Sequence, residues 1–204
     1  MANIDRPQGM KPVRYASGAP YNGAFNTYLV QAADATAIYI GDIVDLDGDA
    51  GGAGESVYGI DVEGMASVTK AAVAGPILGV VVGVSPNQDN LSQRYRVAST
   101  ARLVRVADDP SLLFEVQEVS GGTALTSAAV GLNSNLVGTG GSTTTGVSAA
   151  ELDNTTEATT NSLAVRLVGL SRRPDNAFGE HAKWLVMIND HRNAMIGAAG
   201  PGGV

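Results

Sequence analysis

The chain contains no cysteine, which removes disulfides, thiolate nucleophiles and every Cys-based metal or redox motif. Charge is scarce as well: 16% of its 204 residues are charged, against about a quarter in an average globular domain. The balance is acidic, a formal net of −7, whereas a generic nucleic-acid binder needs clustered Lys and Arg to neutralise phosphates. No direct nucleic-acid contact is expected. Long apolar runs are missing too. The longest strongly apolar stretch, 77–84, is far short of the roughly 18 residues of a membrane span. Residues 1–12 (MANIDRPQGMKP) lack the apolar core of a secretory signal, so synthesis in the cytoplasm and no membrane partner are expected.

What the chain does have is glycine, 26 residues, close to twice the usual share of about 7%, and short β-branched segments separated by turn signals. A chain of this length buries about two-thirds of its unfolded surface without staples. Strands are predicted at 25–31, 38–46, 66–71, 78–84, 94–97, 102–106, 114–119, 163–170 and 183–189, each rich in β-branched or aromatic residues or alternating in polarity. The Gly-rich stretches 47–54 and 138–146 read as exposed loops. Ser148 and Glu151 have the spacing of a helix capping box, but the threonines that follow limit any helix to a turn or two. The expected fold is all-β, an antiparallel sandwich or barrel (jelly-roll or tulip-like) with little helix. Residues 1–24, punctuated by Pro7, Pro12 and Pro20, predict an extended N-terminal arm. Residues 25–192 form the β-rich core domain, and 193–204 a flexible C-terminal tail.

Candidate chemistry is thin. Asp45, Asp47, Asp49 and Glu55 alternate as calcium ligands do, but the positions where an EF-hand loop wants Gly and Glu hold Ala50 and Ser56. Whether that loop takes a cation stays open. His181 and His191 stand ten positions apart with no third ligand at metal-site spacing. Serines are plentiful, but no Gly-x-Ser-x-Gly elbow holds one. No Lys follows the Gly138–Gly146 run as a phosphate loop requires. Asp108-Asp109 is the adjacent acidic pair that a carbohydrate-active enzyme would need, yet Pro110 makes it a turn. No catalytic residue, metal ligand or cofactor is assigned. Two groups remain as contact surfaces. Arg94, Arg96, Arg102 and Arg105 form the densest basic patch in an acidic chain, able to meet a neighbour's carboxylates or simply to be solvated. Arg14, Tyr15, Tyr21 and Phe25 give the arm an aromatic end that would anchor in a partner's groove or staple the arm to its own sheet.

The opening Ala2-Asn3-Ile4-Asp5-Arg6-Pro7, the stretch 18–23 (GAPYNG), 95–102 (YRVASTAR), 106–110 (VADDP) with 114–117 (FEVQ), and 170–176 (LSRRPDN) through 182–186 (AKWLV) together resemble structural proteins of tailed-bacteriophage heads. The resemblance is to the cement, or decoration, proteins of the capsid, and it runs from residue 2 to about 191. It implies a non-enzymatic β-rich protein on the outer surface of the virion that binds the major capsid protein and bridges its subunits. It also implies self-association, as a homotrimer or a dimer, with the arm reaching a shell subunit or a sister protomer. A tail or host-attachment protein of the same virion would share this composition, and copy number per particle separates the two.

Overall fold

The computed structural model describes residues 3–138 and 140–194; the segment 195–204 of the expected flexible tail lies outside the described residues. The described residues are almost wholly β, as the periodicity and turn signals predict. In chain order the strands are β1 Lys11–Tyr15, β2 Asn26–Val30, β3 Ile43–Ala50, β4 Ser56–Val57, β5 Ile60–Asp61, β6 Ala66–Lys70 and β7 Gly79–Val84. They continue with β8 Arg102–Ala107, β9 Leu112–Gln117, β10 Asn133–Ser134, β11 Leu136–Val137, β12 Glu151–Leu152, β13 Val165–Leu170 and β14 Lys183–Ile188. Five of them close a barrel in the order β2-β6-β3-β7-β8, antiparallel except where β2 and β6 meet in parallel at Leu29 and Ser67. Closure leaves these strands no free edge. Five more form a flat antiparallel partner, β1-β9-β14-β13-β10.

The barrel packs against one face of that sheet, which explains why several of its strands read as continuous apolar runs. In β3, Val44 points into the barrel and Ile43 toward the sheet; in β7, Val81 and Val80 divide in the same way. The barrel interior holds Val30, Ile38, Val44, Val68, Leu78, Val81, Val104 and Val106. The larger core lies between barrel and sheet, around Met10, Phe114, Val116, Trp184, Val186 and Ile188. A buried polar seam crosses it. Asp42 accepts from Lys70 Nζ at 2.9 Å, Ser148 Oγ at 2.5 Å and the Tyr39 N–H at 2.8 Å, and burial pushes its carboxyl above the usual range.

Four local expectations change. Residues 47–50 belong to β3, which bulges between Leu46 and Ala50, so the acidic stretch is the end of a strand. Residues 94–97 form no strand: Arg96 pairs with Ile38 in a single bridge because its side chain turns inward. The capping-box spacing opens no helix, since Ser148 Oγ is spent on Asp42 and Glu151 begins β12. The loop 138–146 is only partly exposed, because Gly141 lies flat on the Tyr39 ring and Gly146 against Arg94.

The N-terminal segment is bound to the body along its length. Residues 11–15 are an edge strand paired with β9, and Met10 is buried in the larger core. Gly9 (φ +65) crosses Gly41 (φ +93) so closely that a Cβ on Gly9 would stand 2.3 Å from the Gly41 carbonyl oxygen. Only glycine combines that approach with a left-handed backbone.

Candidate functional site

The predicted contact residues separate once their surroundings are known. Arg96 is fully buried (0% exposed). It donates from Nε to Thr100 O at 2.8 Å, from Nη2 to Gln31 O at 2.7 Å and Asp34 O at 2.8 Å, and from Nη1 to Thr36 O. Arg102, 2% exposed, lies with its guanidinium carbon 5.1 Å from the centre of the Tyr58 ring. Both are enclosed by the chain itself, Arg96 as an internal clamp and Arg102 with a long 3.4 Å bond from Nη2 to Gln93 Oε1 and a buried Nε that has no hydrogen-bond partner among the described residues. This is a correction to the basic-patch reading, whose alternation could not tell a strand's buried face from its exposed one. Arg94 and Arg105 are exposed, and Arg105 covers the Phe25 ring at 5.1 Å. Tyr15 and Tyr21 pack against the larger core, and Tyr21 Oη donates to Ala24 O at 2.7 Å. These two tyrosines therefore staple the arm to its own body. Arg14 stands half-buried on the edge strand.

The remaining chemical candidates are occupied internally. Asp45 takes two bonds of 2.7 Å from Arg192, Asp47 accepts from Ser67 Oγ and the Asp49 N–H, and Glu55 caps the Gly52 N–H at 2.7 Å. Asp108 accepts from Asn26 Nδ2 and from Tyr28 Oη at 2.6 Å, and Asp109 from Ser111. His191 is buried, which pushes its imidazole below its ordinary pKa, and its Nδ1 accepts from the Asn193 N–H.

Two surfaces are left. The first is the far face of the five-stranded sheet. β14 alternates strictly, with Trp184, Val186 and Ile188 inward and Lys183, Leu185 and Met187 on the other side. Leu185 of that face borders a shallow apolar groove with Val130, Val168, Leu170 and Phe178, with Arg14 and Arg172 at its margin; Leu170 also packs against the larger core, and the Phe178 ring lies 5.7 Å from the inward Trp184 ring. Val130 is 46% and Phe178 49% exposed. The signal was present in the run Lys183–Ile188, which is apolar on both faces after its first residue, whereas a strand with one solvated face alternates.

The second surface is a cleft of about 160 Å³ between residues 3–11 and strands β9 and β14. That is below the roughly 300 Å³ at which pockets for organic ligands begin, so it suits water or an ion. At its base the buried Gln117 amide organises the network. Its Oε1 accepts from the Arg6 N–H at 2.8 Å and from Lys183 Nζ. Its Nε2 faces Asp5 Oδ1 at 2.8 Å, Glu151 Oε1 at 2.7 Å and His181 Nδ1 at 3.3 Å. Burial, with the Asp5 charge as a smaller cause, holds the Glu151 carboxyl above its usual range, and burial lowers the Lys183 amine. Asp5, Glu151 and His181 are the group among the described residues able to hold a metal ion. Spacing could not find it, because the three come from positions 5, 151 and 181 and are joined only by the docking of the N-terminal segment. No helix among the described residues is long and apolar enough to cross a membrane.

No family model matches the chain, and no curated protein or solved structure matches it.

Proposed function

We propose that the chain is a structural decoration protein of a tailed-bacteriophage head, bound to the outer surface of the shell and bridging major capsid subunits, with the protomers assembled as a homotrimer. The observation that carries this reading is the apolar groove of Val130, Val168, Leu170, Phe178 and Leu185 bordering the five-stranded sheet. A contiguous exposed apolar surface is characteristic of a protein–protein contact. Its marginal Arg14 and Arg172 suit a shell subunit that offers a hydrophobic anchor within an acidic rim. The resemblance of residues 2–191 to cement proteins supports the same reading, as does a body whose buried arginines and carboxylates are spent on internal clamps. The role needs no bond-making chemistry. A modest contact per protomer, repeated by symmetry and over many copies, gives durable attachment.

Quantitative mass spectrometry of purified particles tests the proposal. A copy number near that of the shell protein is expected, and a few copies per particle would assign the chain to the tail instead. Val130→Asp with Arg172→Glu, both at exposed positions, is expected to lower shell binding at least tenfold with thermal stability unchanged. Full binding by that variant would remove the sheet face from the contact.

A further inference from the structure

We infer that Asp5, Glu151 and His181 form a divalent transition-metal site, with zinc as its representative ion, that fastens the N-terminal segment to the sheet. The ligand atoms Asp5 Oδ1, Glu151 Oε1 and His181 Nδ1 all lie within 4.8 Å of one another. They are carried by three separate parts of the chain: the N-terminal segment, the start of β12 and the loop before β14. Two carboxylates and one imidazole neutralise a divalent ion and provide the mixed N/O set that zinc accepts with an open fourth position. Calcium and magnesium take oxygen ligands and have little use for the imidazole.

A mismatch of donors and acceptors is the second observation. Asp5 Oδ1, Glu151 Oε1 and His181 Nδ1 converge on one atom, Gln117 Nε2, at 2.8, 2.7 and 3.3 Å. A primary amide has two hydrogens to give, so in the Nε2–H tautomer of His181, the one whose Nδ1 can ligate a metal, one acceptor of the three is left without its own. The amide cannot turn its oxygen toward them, because Oε1 is held by the Arg6 N–H and Lys183 Nζ. An ion beside Nε2, on the open side of the cleft, satisfies all three at once. It needs ligand distances of about 2.0–2.2 Å, a contraction that the Asp5 segment and the His181 loop can supply. Access is open: the Asp5 side chain is 63% exposed and that of His181 20%. The site is independent of the capsid assignment, since it fastens the segment to its own body.

The test is calorimetric titration of the EDTA-stripped full chain with zinc chloride. One zinc per chain is expected, with slower hydrogen exchange at the amides of residues 4–9. His181→Ala and Glu151→Gln are expected to weaken zinc binding at least tenfold. Asp5→Ala does the same at an exposed position where folding is not at stake. Calcium chloride under the same conditions should give no saturable binding. Absence of saturable zinc binding by the folded wild type, unchanged affinity in the Asp5→Ala chain, or calcium binding of equal strength would each overturn the inference.

Discussion

Arg96 separates the structural account from a surface account of the same residue, and its replacement can be worked through in numbers. Arg96→Met keeps most of the aliphatic volume and removes the guanidinium. Four backbone carbonyls, those of Gln31, Asp34, Thr36 and Thr100, then lose the guanidinium as donor, although Gln31 O keeps the Asp34 N–H and Asp34 O the Ser99 N–H, and Asp34 loses a cation 3.7 Å from its carboxylate. A buried hydrogen bond to a charged group contributes about 1.5–3 kcal/mol. The Thr36 and Thr100 carbonyls, which have no second backbone donor among the described residues, and the lost ion pair carry most of the loss, which comes to about 3–5 kcal/mol, the range seen when one partner of a buried charged network is removed. For a chain of this length each kcal/mol shifts the melting temperature by about 2–4 °C, so the expected drop is about 6–20 °C.

Differential scanning calorimetry with urea unfolding reads that value directly. Arg105→Ser is the control: Arg105 is exposed, its one resolved ring contact is with Phe25, and it should cost no more than about 1 kcal/mol. Arg96→Lys is expected to fall between, since an ammonium has three donors on a point charge and cannot span four carbonyls. A loss below about 1 kcal/mol in Arg96→Met would mean that the carbonyls are hydrated in the native protein, and the clamp reasoning would fail.

Gly9→Ala should cost about 2–4 kcal/mol, because the new methyl meets the Gly41 carbonyl and the residue is left-handed, whereas Gly18→Ala, with nothing within 4 Å, should cost about 1 kcal/mol; chemical denaturation of both compares them. Deleting residues 1–24 removes β1 and Met10 from the core, so the truncated chain should show lost near-ultraviolet circular dichroism and exposed apolar surface by dye binding; a native-like spectrum would show the arm to be dispensable. Glu118 is buried and accepts from Leu125 N–H, Trp184 Nε1 and Asn154 Nδ2, and burial raises its carboxyl above the unfolded value of 4.5. The folded state therefore holds the proton more tightly, and the cost of burying this charge is fully present above the folded pKa and relieved as pH falls toward 4.5. Measured against Glu118→Gln, which does not titrate, wild-type stability should gain across that window on acidification; a difference that stays flat with pH would refute the assignment.

Sequence periodicity located most of the barrel and sheet strands because their determinants are local: β-branched runs at 78–84 and 102–106, alternation at 163–170 and 183–189, and turn residues between them. What it could not resolve was which face of a strand is buried, and that question decides function here. Arg96 and Arg105 look alike in sequence, yet one is enclosed by carbonyls and the other lies in solvent, since the barrel closes over one of them. The same limit hid both surfaces. Leu185 is a core residue by type, yet it lies on the face of β14 opposite Trp184, Val186 and Ile188 and stays half-buried. His181 gains its two acidic partners from distant parts of the chain: β12 brings Glu151 to it, and the docking of residues 3–11 over β9 and β14 brings Asp5. In a protein built from two β layers, the informative positions are the apolar residues that a third layer would have covered and the polar residues that a docked terminus brings together. Both kinds depend on contacts across tens to more than a hundred positions of sequence, which periods of two and spacings of a few residues do not encode.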